Sequence, residues 1–175
     1  MSPIAVLLSG SGSTLQNLID RGFNITRVVS SRQGVQGLER AADAGIATAI
    51  VERNAFASDV EFSEAVFAEC GDAELVCMAG WLRKVIVPDA WEGRVLNVHP
   101  SLLPAFGGPG MFGRHVHAAV LARGCKVTGC TVHLVNNALD EGPILAQQAI
   151  DVTDADTVET LAERVQQAER ELYPE

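Results

Sequence analysis

The order of apolar runs predicts an α/β fold: a mostly parallel, twisted sheet with helices on both faces, Rossmann-like in its first half. Three observations carry this reading. Short β-branched runs recur through the first hundred residues, and stretches with helical apolar spacing separate them. A glycine turn, Ser9-Gly10-Ser11-Gly12-Ser13, joins the first run to the first helix. Beyond residue 120, two long runs lie close together and predict antiparallel strands in the C-terminal half.

The elements follow in order. Residues 4–8 are a continuous apolar run, the pattern of a strand buried on both faces. Leu15, Leu18 and Ile19 then fall at helical spacing. Residues 25–29 read as a second strand. Leu38, Ala41 and Ala42 mark a helix that stops at Gly45. A third strand is expected at 46–51. A third helix is expected around Phe62, Ala65, Val66 and Phe67, with Ser58 or Asp59 as its N-cap. Strands at 75–79 and 95–98 complete the first half.

Pro100, Pro104, Gly107, Gly108, Pro109, Gly110 and Gly113 then make a long irregular loop of the kind usually tied to function. A helix at 115–122 and strands at 126–135 and 144–152 follow. The last helix starts near Thr157, with Leu161, Val165, Ala168 and Leu172 as its apolar stripe. The whole of 1–175 reads as a single domain.

Composition narrows the function. The chain has 175 residues, 47% hydrophobic and 20% charged, so it can build a core without disulfides or metal. Its net charge of −9 disfavours nucleic acid, whose phosphates are bound by Lys and Arg. An anionic small molecule would need a local device. No apolar run approaches membrane-spanning length, and no secretory signal is visible. Cys70, Cys77, Cys125 and Cys130 show no CxxC spacing, which fits free thiols in a reducing cytoplasm.

Three segments carry chemistry. In Ser9 to Thr14 the glycines let the backbone approach a ligand, and the following helix aims its free N–H groups at an anion. A plain strand-to-helix turn is the competing reading. The dinucleotide fingerprint is incomplete, because Leu15 stands where the third glycine would fall. A small phosphate monoester fits better.

The second segment is Asn97-Val98-His99-Pro100-Ser101-Leu102-Leu103-Pro104. Strand alternation puts Asn97 and His99 on one face at a strand's carboxyl end, where open α/β sheets bind ligands. Both can donate hydrogen bonds to one developing oxyanion.

The third is Asp140, within 136–143. A turn is the bland reading of that segment. A carboxylate beside His99 would favour the cationic imidazole. His115, His117 and His133 lack zinc-ligand spacing and HExxH is absent, so no metal is expected. His133 could face the same cleft as His99 or be structural.

Together these segments resemble the folate-dependent formyltransferases, in their glycinamide ribonucleotide branch. The matching stretches are VLLSGSGSTLQNLID at 6–20, GLERAADAGIAT at 37–48, MAGWLRKV at 78–85 and RVLNVHPSLLPAF at 94–106. KVTGCTVHLV at 126–135, LDEGPILAQ at 139–147 and ERVQQAERELYP at 163–174 complete the set.

The resemblance implies formyl transfer from 10-formyltetrahydrofolate, a co-substrate, to the amine of glycinamide ribonucleotide in purine biosynthesis. It assigns catalysis to Asn97, His99 and Asp140. It gives the ribonucleotide to Gly12, Ser13, Thr14, Gln166 and Glu169. It gives the folate to Leu82, Arg83, Lys84, Val85, Asn97, Asn136, Asn137, Ala138, Leu139 and Asp140. The first half would then hold the phosphate loop, and the second the folate site and catalytic residues. Asp59 departs from the family, where many relatives have an Arg that approaches the folate tail.

The expected partners are small-molecule substrates, with no nucleic acid or membrane, in a cytoplasmic monomer or homodimer. Two other readings compete: another enzyme using formyltetrahydrofolate, hydrolase or transferase, and a non-catalytic nucleotide- or folate-binding module.

Overall fold

A computed structural model describes all 175 residues. Contacts divide them into two compact units, Met1–Leu96 and Asn97–Glu175. No helix is long and apolar enough to cross a membrane.

The first unit alternates strand and helix: β1 Ile4–Leu8, α1 Ser13–Asp20, β2 Ile25–Ser30, α2 Gln36–Asp43, β3 Thr48–Ile50, α3 Asp59–Glu69 and β4 Leu75–Met78. The strand order is β3-β2-β1-β4. The β1–β2, β1–β4 and β2–β3 pairs are all parallel. The apolar run of β1 is explained by this order, because the strand is flanked on both sides and every one of its residues is buried. Ser58 caps α3, accepting from the Glu61 amide at 3.2 Å. Trp81 stacks on Phe62 and Trp91 lies tilted on Phe67, so both indoles belong to the core.

The expected strand at 46–51 is shorter. The Ile46 amide donates to the Ala41 carbonyl at 2.8 Å and the Gly45 amide to Ala42 at 2.9 Å. Those two bonds, with Gly45 at φ 70°, close α2 in a Schellman arrangement that uses Ile46 before any strand can. Single 3₁₀ turns at Arg53–Ala55 and Asp89–Trp91 were not expected from the sequence.

Strand β5, Val95–His99, begins in the first unit and ends in the second. The second unit adds α4 Arg114–Arg123, β6 Val127–Leu134, β7 Ile144–Asp151 and α5 Val158–Leu172. β6 and β7 pair antiparallel from Val127↔Asp151 to His133↔Ile144, with a register shift between Val132 and His133. The core of this unit is Val116, Val120, Cys130, Leu161, Val165 and Ala168. Leu172, the last residue of the expected stripe, packs against that core only partly buried. A reciprocal capping box of Thr157 and Thr160 starts α5.

Candidate active site

The second unit gathers four polar side chains. β5 carries Asn97 and His99 two residues apart, which places both on one face. His99 Nδ1 lies 3.6 Å from Asp140 Oδ2, and His133 Nε2 lies 3.8 Å from Asp140 Oδ1. Asn97 Nδ2 is 3.3 Å from His133 Nε2. Both imidazoles are buried, and the Asp140 side chain is only 8% exposed, so these groups interact through little water.

Carbonyl contacts fix the proton positions. A carbonyl can only accept, so His99 Nε2 donates to the Phe106 oxygen at 2.8 Å. The remaining nitrogen, Nδ1, can donate only when the ring is charged, and Asp140 is placed to balance that charge. His133 Nδ1 likewise donates to the Leu134 carbonyl at 3.0 Å. In neutral His133, Nε2 then accepts from the Asn97 amide. Burial pushes the His133 pKa down, against the upward pull of the Leu134 carbonyl and Asp140, and His99 adds to the lowering. One Asn97 N–H is thereby committed and the amide's orientation is set.

Sequence alternation left the place of His133 open between cleft and structure. The register shift just before it is the kind of irregularity that re-aims a side chain. Asp140 serves as both a turn residue and a member of the cluster. It sits at φ 59°, a left-handed conformation that Asp tolerates. Ala138 in the same turn donates its amide to Asn136 Oδ1 at 3.0 Å.

A second group of residues, missed by sequence reasoning, braces the proline loop. Thr131 Oγ1 donates to the Ser101 carbonyl at 2.7 Å and accepts from the Leu103 amide at 3.0 Å. Gln147 Nε2 bonds the Leu103 carbonyl at 2.9 Å and Thr131 Oγ1 at 3.0 Å. Thr131 stands two residues before His133, and that spacing was the available signal. The Gly108 amide donates to Asp140 Oδ2 at 2.9 Å.

In the first unit, Gly12 is the N-cap of α1 at φ 71°, with no side chain capping the helix. The first amides of α1 are therefore left for water or an anion. Ser13 is exposed and Thr14 half-buried. Arg40 donates from Nε to the Ser11 carbonyl at 2.9 Å, so a guanidinium stands at the loop. The glycine itself also has a packing reason: a Cβ on Gly12 would meet the Gly37 Cα at 2.6 Å.

The other expected positions are mostly surface. Leu82, Arg83 and Lys84 are exposed and Val85 is buried, in an irregular stretch after β4. The Leu82 amide donates to Ser9 Oγ at 2.9 Å. Asn136, Asn137, Ala138 and Leu139 are exposed. On α5, Gln166 is exposed and Glu169 half-buried. Burial pushes the Glu169 carboxyl up to about 7, against a smaller lowering from Arg170. Burial and then Glu169 push the Cys130 thiol to about 12.

His115 is an exposed residue edge-on to Phe112. His117 is buried, and its Nδ1 has no protein partner. Asp59 accepts from Arg53 Nε at 2.7 Å. No group of three or more His, Cys, Asp and Glu is placed to hold a metal ion.

A buried imidazole–carboxylate pair beside an oriented amide is an arrangement suited to stabilising a developing oxyanion on a transferred or hydrolysed carbonyl group. The chain belongs to the formyl transferase family, which matches residues 2–175. It is 43% identical over 181 residues to the trifunctional purine biosynthetic protein adenosine-3 of Gallus gallus, covering 98% of this chain and 18% of that protein. The chain thus spans under a fifth of the trifunctional relatives. It is 32% identical to the phosphoribosylglycinamide formyltransferase of Bacillus subtilis, covering 99% of this chain and 92% of that one.

Among solved structures, glycinamide ribonucleotide transformylase 1 from Symbiobacterium toebii superimposes with a TM-score of 0.88 at 40% identity, covering 99% of this chain and 84% of that one. The Brucella melitensis phosphoribosylglycinamide formyltransferase gives 0.87 at 43% identity, covering 99% and 92%.

Proposed function

We propose that this chain transfers the formyl group of 10-formyltetrahydrofolate to the amine of glycinamide ribonucleotide. The observation that carries the reading is the buried His99–Asp140 pair with Asn97 oriented beside it. The names of relatives covered over nearly their whole length support the same reaction.

The neutral amine is its own nucleophile, so no Ser, Cys or Lys nucleophile is required. Its lone pair forms a C–N bond to the formyl carbon, and the carbonyl oxygen becomes an oxyanion. His99 Nδ1–H and the free N–H of Asn97 donate to that oxygen. Each such donor is worth roughly 3–4 kcal/mol. The tetrahedral carbon then expels the folate nitrogen N10, which takes a proton while the former amine loses one. Asp140 balances the imidazolium charge and assists that proton movement through water.

In the first unit, the free amides of α1 at Ser13 and Thr14, after Gly12, take the ribonucleotide phosphate. In the second unit, Asn136 to Asp140 receive the folate. None of the four cysteines forms a disulfide, which suits a reducing cytoplasm.

Mass analysis of the products tests the reading. With both substrates present, the ribonucleotide should gain one formyl group and tetrahydrofolate should appear in equal amount. Free formate in place of formylated ribonucleotide would make the chain a hydrolase. Unchanged substrates, with either ligand bound, would make it a binding module.

A further inference from the structure

The chemistry assigned above leaves one part of the sequence without a role: the glycine-rich segment after the proline loop. Its first three residues each touch the catalytic pair. The Phe106 carbonyl accepts from His99 Nε2 at 2.8 Å. The Gly108 amide donates to Asp140 Oδ2 at 2.9 Å. Between them, Gly107 packs so closely that a Cβ would lie 2.7 Å from Leu103 Cδ2 and 3.3 Å from Asp140 Cβ.

Two hydrogen bonds from one short segment, one to each partner, with the residue between packed on Leu103 and Asp140, are unlike a loop that merely passes by. Phe106 holds φ 54°, a conformation that non-glycine residues adopt at a cost and keep only where surrounding contacts fix them. Gly108 holds φ 87°, which favours glycine. The segment is tied at its base, where Ser101 Oγ donates to the Ala105 carbonyl at 2.6 Å.

We infer that Phe106, Gly107 and Gly108 form a positioning strap that holds the His99–Asp140 pair from both ends. The inference rests on the formyl-transfer reading of that pair. At one end, the Phe106 carbonyl keeps the proton on Nε2 and turns Nδ1 toward Asp140 and the reacting oxygen. At the other, the Gly108 amide satisfies one carboxylate oxygen and stops Asp140 from rotating away. The strap touches no substrate and acts through the two side chains. Backbone groups suit this task, since they carry one donor and one acceptor and no rotamers. Gly107 is small because the strap must lie directly on Leu103 and Asp140.

Gly110 provides a matched control. It holds φ 81°, close to Gly108, and a Cβ at either position meets nothing within 4 Å. Alanine therefore brings the same backbone penalty at both, but only the Gly108 amide reaches Asp140. G108A should lower kcat at least tenfold with both KM values within twofold of wild type. G107A, which needs no left-handed backbone, should behave the same way. G110A should stay within twofold throughout.

Thermal unfolding checks that each variant folds. Should G108A not fold, G107A decides by the same criteria. Equal kcat in G107A, G108A and G110A overturns the strap, as does a rise in KM at constant kcat.

Nitrogen-15 NMR of the His99 ring reads the contact without turnover. With the ring in its neutral form, a fixed Nε2–H is expected in wild type and G110A, and averaged tautomers in G107A and G108A. Identical His99 spectra in all four proteins overturn the strap even if the wild type transfers no formyl group. Wild-type inactivity with the expected spectra overturns the formyl-transfer reading and leaves the strap standing.

Discussion

Substituting Gly12 by Ala should unfold the glycine loop's support before it tells anything about a ligand. Two costs add. Gly12 sits at φ 71°, and an L-residue there costs roughly 1–2 kcal/mol. Its new methyl would meet the Gly37 Cα at 2.6 Å, and backbone cannot swing aside as a side-chain tip does. Forcing a methyl into packed space costs roughly 1–3 kcal/mol. Gly37 has no slack to give, because its own amide donates to the Gly10 carbonyl at 3.1 Å and even a Cβ on it would meet Leu8 Cδ2 at 2.7 Å. The sum is about 2–5 kcal/mol, and at roughly 2–4 °C per kcal/mol for a chain of this size, Tm should fall by ~4–20 °C. Thermal unfolding followed by circular dichroism measures this. Gly10→Ala is the control, since nothing lies within 4 Å of a Cβ there. A Gly12→Ala protein that melts within about 2 °C of wild type would refute the close-packing argument.

The phosphate role of the loop is better tested at Ser13, which is exposed at the first turn of α1. Ser13→Glu should raise the ribonucleotide KM more than tenfold and leave the folate KM unchanged, with Tm equal or slightly higher, because acids suit helix N-termini. Equal ribonucleotide KM would leave the loop as a plain turn. Glu169 gives a pH prediction. Its carboxyl is raised to about 7 in the fold, so between its ordinary value near 4.5 and about 7 the folded state holds more protons than the unfolded one. Stability should therefore fall as pH rises through that window. Glu169→Gln should flatten the decline when denaturant midpoints are compared at pH 5 and pH 7.5, roughly either side of the transition. Parallel declines in the two proteins would count against a buried, raised Glu169.

How far the sequence reveals this molecule depends on how local each cause is. The apolar run of β1, the Ser58 cap and the Thr157 start of α5 are written in a few adjacent residues, and each element lies where those residues predict. Asn97 and His99 share a face because strand alternation has a period of two. The end of α2 was harder: Ile46 looks like strand, but Gly45 turns it back to close the helix. His133 was half visible, because alternation admits it to the cleft face but the irregularity before it depends on pairing with β7. Contacts between distant residues were hidden. Nothing in the string 136–143 announces that Asp140 will meet the Gly108 amide, and nothing in SGSGST announces that Gly12 must clear Gly37. Thr131 and Gln147 are ordinary strand residues until the proline loop is folded onto them.

His99 carries the proposed chemistry. It is the only ring in the cluster that the Phe106 carbonyl and Asp140 both hold, and its Nδ1–H is the charged donor assigned to the oxyanion. Wild type and His99→Ala should be compared at saturating 10-formyltetrahydrofolate and glycinamide ribonucleotide, with formylated ribonucleotide measured directly. The wild type should make this product, and the variant should lose roughly 10²–10³-fold in kcat, as expected for one oxyanion donor. A wild type that makes none, or a variant that turns over as fast, would contradict the account.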